Sequence, residues 1–254
     1  MKGLTAVRLN EIVKEKKRVD HGRVRLQKRD YEIFKFLLDM KFSDIEGLHE
    51  KFFKDQSMSS PHLGGARTRV LSLYKAGYLN HRFAPNGTSR KYYMATLKAY
   101  RALVGHVDGE IVSKPHLVSD ATFSHDELVL KSRLVLEGAG RASNWRSEKL
   151  LKAEMADRSI VIEREFMPDG VFTSKHGYPC AFELELSPKT KKRYRRKILR
   201  FIDVMEDPQG LFDYCLFVVK TPFTYNTLKE LTTPYGNRFQ VEWVHKLLPI
   251  RGDS

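Results

Sequence analysis

The sequence predicts an α+β chain in two parts: helices closed by a short hairpin, then a central mixed β-sheet flanked by helices. Three observations carry that prediction. Apolar residues recur at helical spacing through the N-terminal part, and an Asn-Gly turn then separates two short strand-like runs. Beyond residue 120, helical segments interleave with strand-length apolar runs. A chain of 254 residues is also long enough to build two cores.

In the first part, Asp30 reads as the cap of a helix with Tyr31, Phe34, Leu37 and Leu38 on one face. Ser43 to Glu46 reads as a capping box, opening a second helix that carries Ile45, Leu48, Phe52 and Phe53. Ser60-Pro61 announces a third helix, running to Lys75 and ending near Gly77. Leu63, Ala66, Val70, Leu73 and Tyr74 share its apolar face. Gly65, Thr68, Arg69, Ser72 and Lys75 lie opposite, a small, polar, basic surface suited to a DNA groove. Gly64 and Gly65 allow two readings, close approach to a phosphate backbone or a loose first turn. Tyr78–Phe83 and Lys91–Met94 then flank a Pro85-Asn86-Gly87 turn, and Leu97 to Val104 forms a closing helix.

Three helices and a hairpin make the winged-helix pattern, expected over residues 27–108 behind a basic arm at 1–26. The expected DNA contacts there are Arg67, Thr68, Arg69 and Ser72 on the helix and Arg82, Arg90 and Lys91 on the wing. Residues 109–120 read as a linker to a second domain at 121–254.

In the second domain, Ser124 to Glu127 reads as a capping box for a helix that stops at Gly138. A helix at Ser147–Ala156 and strands at Ile160–Arg164, from Pro168-Asp169-Gly170, and at Cys180–Leu186 follow. A basic helix spans Thr190–Glu206, with Tyr194, Ile198, Phe201 and Met205 as its apolar stripe. A strand at Tyr214–Lys220, a helix and a strand at Phe239–Val244 complete the order.

Strand alternation sends Phe182, Leu184 and Leu186 to one face and Glu183 and Glu185 to the other. The two carboxylates stand about 7 Å apart along the strand. Asp169, opening the neighbouring strand, reaches the same patch. Converging carboxylates repel unless a cation lies between them, and hard oxygen ligands suit Mg2+ or Mn2+. The other open reading is that Glu183 and Glu185 pair with Lys189, Lys191 or Arg193 on a solvated face.

Charge points to a polyanionic partner. Residues 14–29 hold eight Lys/Arg against two acids, and residues 189–200 hold eight with no acid. Their excesses, +6 and +8, account for the whole formal charge of +14. In the basic helix, Lys192, Arg193 and Arg196 are expected backbone contacts. Cys180 and Cys215 lie in apolar runs without metal-ligand spacing and read as core residues. No apolar run approaches the roughly 20 residues of a membrane span, and the N-terminus carries no apolar signal core. A cytoplasmic location without a membrane partner is expected.

The element order, with Pro168-Asp169-Gly170 and Glu183-Leu184-Glu185, resembles the PD-(D/E)XK, restriction-endonuclease-like nuclease superfamily. More narrowly, five features resemble the replication-relaxation group, which includes the MobC-type (MOBC family) plasmid mobilisation relaxases. They are the winged helix, Ser124-His125-Asp126-Glu127-Leu128, Trp145-Arg146-Ser147-Glu148, Pro168-Asp169-Gly170 and the run from Phe182 to Phe201. The resemblance implies that Asp169 and Glu183 bind a metal, Mg2+ or Mn2+, with Glu148 from a core helix. It implies nicking at an origin of transfer on plasmid DNA, double-stranded then nicked, with mobilisation accessory or coupling proteins as partners. His125 matches a recurrent histidine of the group, read here as capping or packing at a helix start. Glu185 stands where the superfamily has its motif lysine, a role that then falls to Lys189 or Lys197. The same departure supports an alternative, a non-catalytic DNA-binding regulator of plasmid replication or transfer. A nuclease making double-strand breaks is a third reading.

Overall fold

A computed structural model describes residues 24–54, 63–157 and 166–248. The fold is mixed α/β, and the chain divides into two compact units between Leu117 and Val118.

In the first unit, α1 (Lys28–Met40) starts two residues before the expected cap. Asp30 is its third residue, and the buried carboxylate reaches back to accept the Gln27 N–H at 2.7 Å. Helix α2 (Ile45–Phe52) is capped by Asp44, which accepts the Gly47 N–H at 2.8 Å. The expected cap, Ser43, instead exchanges backbone hydrogen bonds with Tyr93 at 3.0 and 2.7 Å. That bridge fastens the helix entry to the hairpin. Helix α3 (Gly64–Lys75) is followed by Gly77, whose φ of +76° suits glycine at a helix exit. The Ser60-Pro61 start lies outside the described residues.

Strands β1 (Leu79–Phe83) and β2 (Lys91–Ala95) pair antiparallel, with Gly87 at φ +79° in the connecting turn. Thr96 caps α4 (Leu97–Val104). Ile33, Phe34, Leu37, Leu48, Val70, Leu73, Tyr92 and Leu103 are buried, so the helical stripes and the hairpin form one apolar core.

The second unit opens with α5 (Asp120–Gly138), capped by Ser119, whose hydroxyl accepts the Ala121 N–H at 3.2 Å. The expected capping box at Ser124 thus lies inside the helix. An earlier hydroxyl cap and the burial of Phe123 add a further turn. Strand β3 (Ala142–Ser147) and helix α6 (Glu148–Asp157) follow. Next come β4 (Gly170–Ser174), β5 (Pro179–Glu185), α7 (Lys191–Glu206) and β6 (Tyr214–Val219). Then come α8 (Pro222–Thr232), a 3-10 turn (Thr233–Arg238), β7 (Phe239–Trp243) and α9 (Val244–Leu247).

The five strands form one sheet in the order β3-β4-β5-β6-β7. The first three pair antiparallel, and β5, β6 and β7 run parallel. Parallel neighbours need crossovers, which α7 and α8 supply. Strand β3 was not anticipated from sequence. Only Ala142, Trp145 and Ser147 of it are buried, and a register shift between Ser143 and Arg146 breaks its alternation. The expected strand at 160–164 lies outside the described residues.

Strand β5 is buried on both faces from Cys180 to Glu185. Ala181, Tyr194, Ile198, Phe201, Phe217 and Val241 join one core cluster. Both cysteines are free and buried, and burial pushes the Cys180 thiol up to about 12. Among the described residues, no helix is long and apolar enough to cross a membrane.

Candidate functional site

Strands β4 and β5 bring the predicted acids together. Gly170 lies opposite Phe182, and continuing that register by one residue sets Asp169 across from Glu183. Asp169 precedes β4. Its Oδ2 accepts the Leu184 N–H at 2.8 Å, and its own carbonyl accepts the Glu148 N–H at 3.0 Å. Gly170 has a separate reason to be glycine. A Cβ there would lie 2.8 Å from three atoms of the Trp145 ring.

The alternation expected along β5 holds, but its carboxylate face is not solvated. Glu183 and Glu185 are 4% and 2% exposed, covered by α7. Lys197, itself buried, reaches down from α7 and its ammonium donates to Glu183 Oε1. Glu183 Oε2 is buried with no hydrogen-bond partner. Burial pushes Glu183 up to about 8, and the charges of Asp169 and Glu185 add to that, against the opposing pull of Lys197. Burial disfavours the Lys197 charge, but Glu183, Asp169 and Glu185 outweigh it and hold its pKa above the ordinary value.

One contributor was missed as a functional residue. The sequence predicts a capping or packing role for His125, on α5. Its Nε2 lies 3.3 Å from Asp169 Oδ2 and 3.3 Å from the Leu184 carbonyl, with Nδ1 3.9 Å from Asp126. Burial opposes its protonation, but Asp126 and Asp169 on either side raise its pKa to about 10. Burial likewise pushes Asp169 up, yet the hydrogen bond and charge of His125, with Lys197, hold it below the usual carboxylate range. The signal in the sequence was the His125-Asp126 pair on a helix. The strand end it meets is 59 residues away.

Two other predicted members lie next to these acids but have their side chains paired with other residues. Glu148, at the start of α6, is paired with Lys152 one turn on. Lys189 pairs with Glu185 at 2.7 Å. Among the described residues, no three His, Cys, Asp or Glu side chains are grouped so as to hold an ion. Glu148, expected with Asp169 and Glu183, has its carboxylate paired with Lys152, and the cation beside Glu183 is Lys197. Tyr194 is 1% exposed, and its hydroxyl accepts the Lys189 N–H at 3.1 Å, which makes it a core residue.

Lys192, Arg193 and Arg196 are exposed on α7. Lys189, Arg193 and Lys197, with Phe166 and Tyr194, line a small recess beside the acids. In the first unit, Arg67 and Thr68 are exposed on α3, and the Ser72 hydroxyl donates to the Thr68 carbonyl at 2.9 Å. Arg69, expected on the DNA face, is turned inward. Its Nε donates to Asp30 Oδ1 at 2.8 Å and its Nη2 to the Arg25 carbonyl at 2.9 Å. A buried carboxylate needs that counter-charge, so the helix face loses one cation. On the hairpin, Arg82 Nε reaches the Phe83 carbonyl at 3.3 Å, Arg90 lies 3.3 Å from Asp44, and Lys91 is exposed. Compared with known proteins, the chain matches no protein-family model, no curated protein and no solved structure.

Proposed function

We propose that this protein is a DNA-nicking endonuclease of the relaxase type, built as a winged helix joined to a PD-(D/E)XK-like domain. It acts on one strand at an origin of transfer of a mobilisable plasmid, with Mg2+ or Mn2+. The observation that carries the reading is the cluster of half-buried Asp169 with buried Glu183 and Lys197 at the β4–β5 junction, bordered by His125. Two neighbouring strand positions and a helix lysine supply two acids and a cation, the residue types that hydrolysis of a phosphodiester needs.

The residues fit a divalent ion in one specific respect. Glu183 Oε2 is a buried oxygen with no hydrogen-bond partner, which costs free energy unless a cation or water meets it. Asp169 and Glu183 would hold the ion. The chemistry supplied with Mg2+ or Mn2+ bound there is activation of water and neutralisation of charge on the phosphate. Lys197 keeps its proton beside Glu183 and can stabilise the negative charge that develops on the reacting oxygens. His125 orients Asp169 through the 3.3 Å contact. Arg193 and Lys189, at the rim of the recess, are placed to grip flanking phosphates. Arg67 and Thr68 on α3 and Lys91 on the wing would read or clamp the duplex.

Supercoiled plasmid bearing the origin, incubated with protein and Mg2+ or Mn2+, should be converted to open circles. Asp169→Ala and Glu183→Ala proteins that nick as fast as wild type would defeat the assignment. A second reading has its own observation. Glu185 occupies the motif-lysine position, and Lys197 is already paired to Glu183. On that reading the protein grips DNA without cutting it, and specific binding would persist without metal or scission.

A further inference from the structure

The hairpin of the first unit carries a line of aromatic rings that its core does not require. Along β1 and β2, His81 is opposite Tyr93 and Phe83 is opposite Lys91, so all four share one face. At its base that face is buried, with Leu79 and Ala95 facing each other. Toward the turn it emerges from the core. Phe83 is 51% exposed, and Tyr74 on α3 is 38% exposed. Tyr74 meets the edge of His81 at 5.0 Å between ring centroids, and His81 meets Phe83 at 5.8 Å and Tyr93 at 6.1 Å.

Cations flank the rings. Lys91 Nζ stands 5.7 Å from the centre of the Phe83 ring, and the charge of Arg67 reaches Tyr93. Exposed rings that interleave with cations match a polyanion whose flat faces are open. In a duplex, base faces are already stacked on one another, so a ring on the protein finds only edges and sugars. In a single strand, each base offers a face.

We propose that this face binds unpaired nucleotides of single-stranded DNA, with bases stacked on Phe83 and Tyr74 and adjoining phosphates held by Lys91 and Arg67. The inference rests on the DNA-binding reading above and goes beyond it. The wing serves locally melted DNA, such as the displaced strand at a nick, and not only the duplex.

The test measures fluorescence anisotropy of the full chain with labelled single-stranded, duplex and centrally mismatched DNA, all at one salt concentration because phosphate contacts are salt-dependent. Wild type should bind the single strand and the mismatched duplex. Phe83→Ala and Tyr74→Ala should each weaken single-strand binding by about tenfold, the size of one lost base–aromatic stack, and leave fully paired duplex affinity within about twofold. Phe83→Trp should retain binding, and the added emission should be quenched by the single strand. Both positions are exposed, so the variants fold, as circular dichroism will verify. Duplex binding without single-strand binding overturns the inference and spares the DNA-binding reading. So does equal weakening on both DNAs, or full single-strand affinity in both alanine variants, which would assign the rings to a protein partner. A chain that binds neither form overturns the underlying reading itself.

Discussion

Lys197→Met tests the centre of the second unit. The Lys197 and Glu183 side chains are 10% and 5% exposed, so the pair is shielded from water. Removing one member of a buried pair leaves the other uncompensated, at about 3–5 kcal/mol. Here the loss depends on pH, and Glu183 sets the sign. Its folded pKa, about 8, lies above the ordinary 4.5. A group raised on folding stabilises fully below its unfolded pKa, and that contribution disappears as pH rises through the folded value.

Lys197 also keeps Glu183 from rising further. At about pH 6, Glu183 holds its proton with or without Lys197, so the variant forfeits chiefly a hydrogen bond, about 1–2 kcal/mol. At about pH 9, one unit above the folded pKa, the carboxylate is ionised against the ammonium; that adds at most about 1.4 kcal/mol, for a loss of about 2–3.5 kcal/mol in all. Both tryptophans, Trp145 and Trp243, belong to the second unit, so their emission in urea follows that unit alone. With a urea slope of about 2 kcal/mol per molar, the midpoint falls by about 0.5–1 M at the lower pH and about 1–1.7 M at the higher. Adding Glu183→Gln should recover most of the loss at the higher pH, because an amide needs no counter-charge. A Lys197→Met protein whose midpoint shift is the same at both pH values, or is absent, would refute this account of the cluster.

Gly170→Ala should destabilise the second unit by about 1–3 kcal/mol through overpacking. The added carbon meets a Trp145 ring already stacked on Phe172 at 5.5 Å, and a shift in the Trp145 emission maximum should accompany the lowered urea midpoint. Arg69→Met should cost the first unit about 3–5 kcal/mol, because it strands the carboxylate of Asp30, which is fully buried. Thermal melts by circular dichroism should then show an early transition while tryptophan emission, confined to the other unit, keeps its wild-type midpoint.

Much of the architecture was legible in residue order because it rests on local physics. Helical spacing at Phe34, Leu37 and Leu48, the Asn86-Gly87 turn and the alternation along Cys180–Glu185 each record which side of an element meets a core. Those patterns predicted α1 to α4, the hairpin, β5 and the stripe on α7. Caps were less legible. Asp30, Ser43 and Ser124 all carry cap chemistry, yet neighbours at Gln27, Asp44 and Ser119 took the position. Several hydroxyls and carboxylates compete locally, and burial of the next apolar residue decides among them.

The charged partners were settled only by tertiary packing. The sequence alone reads Arg69 as a DNA contact, Lys197 as one of two candidates for the motif lysine, and His125 as a packing or capping residue. In the fold each is held by an acid 39, 14 or 44 residues away, at Asp30, Glu183 and Asp169. A side chain's apolar character is written in its own identity and spacing. The company a charge keeps is set by which strands and helices come to lie side by side, and low-dielectric surroundings then fix whether it faces DNA, a metal or a partner inside the protein.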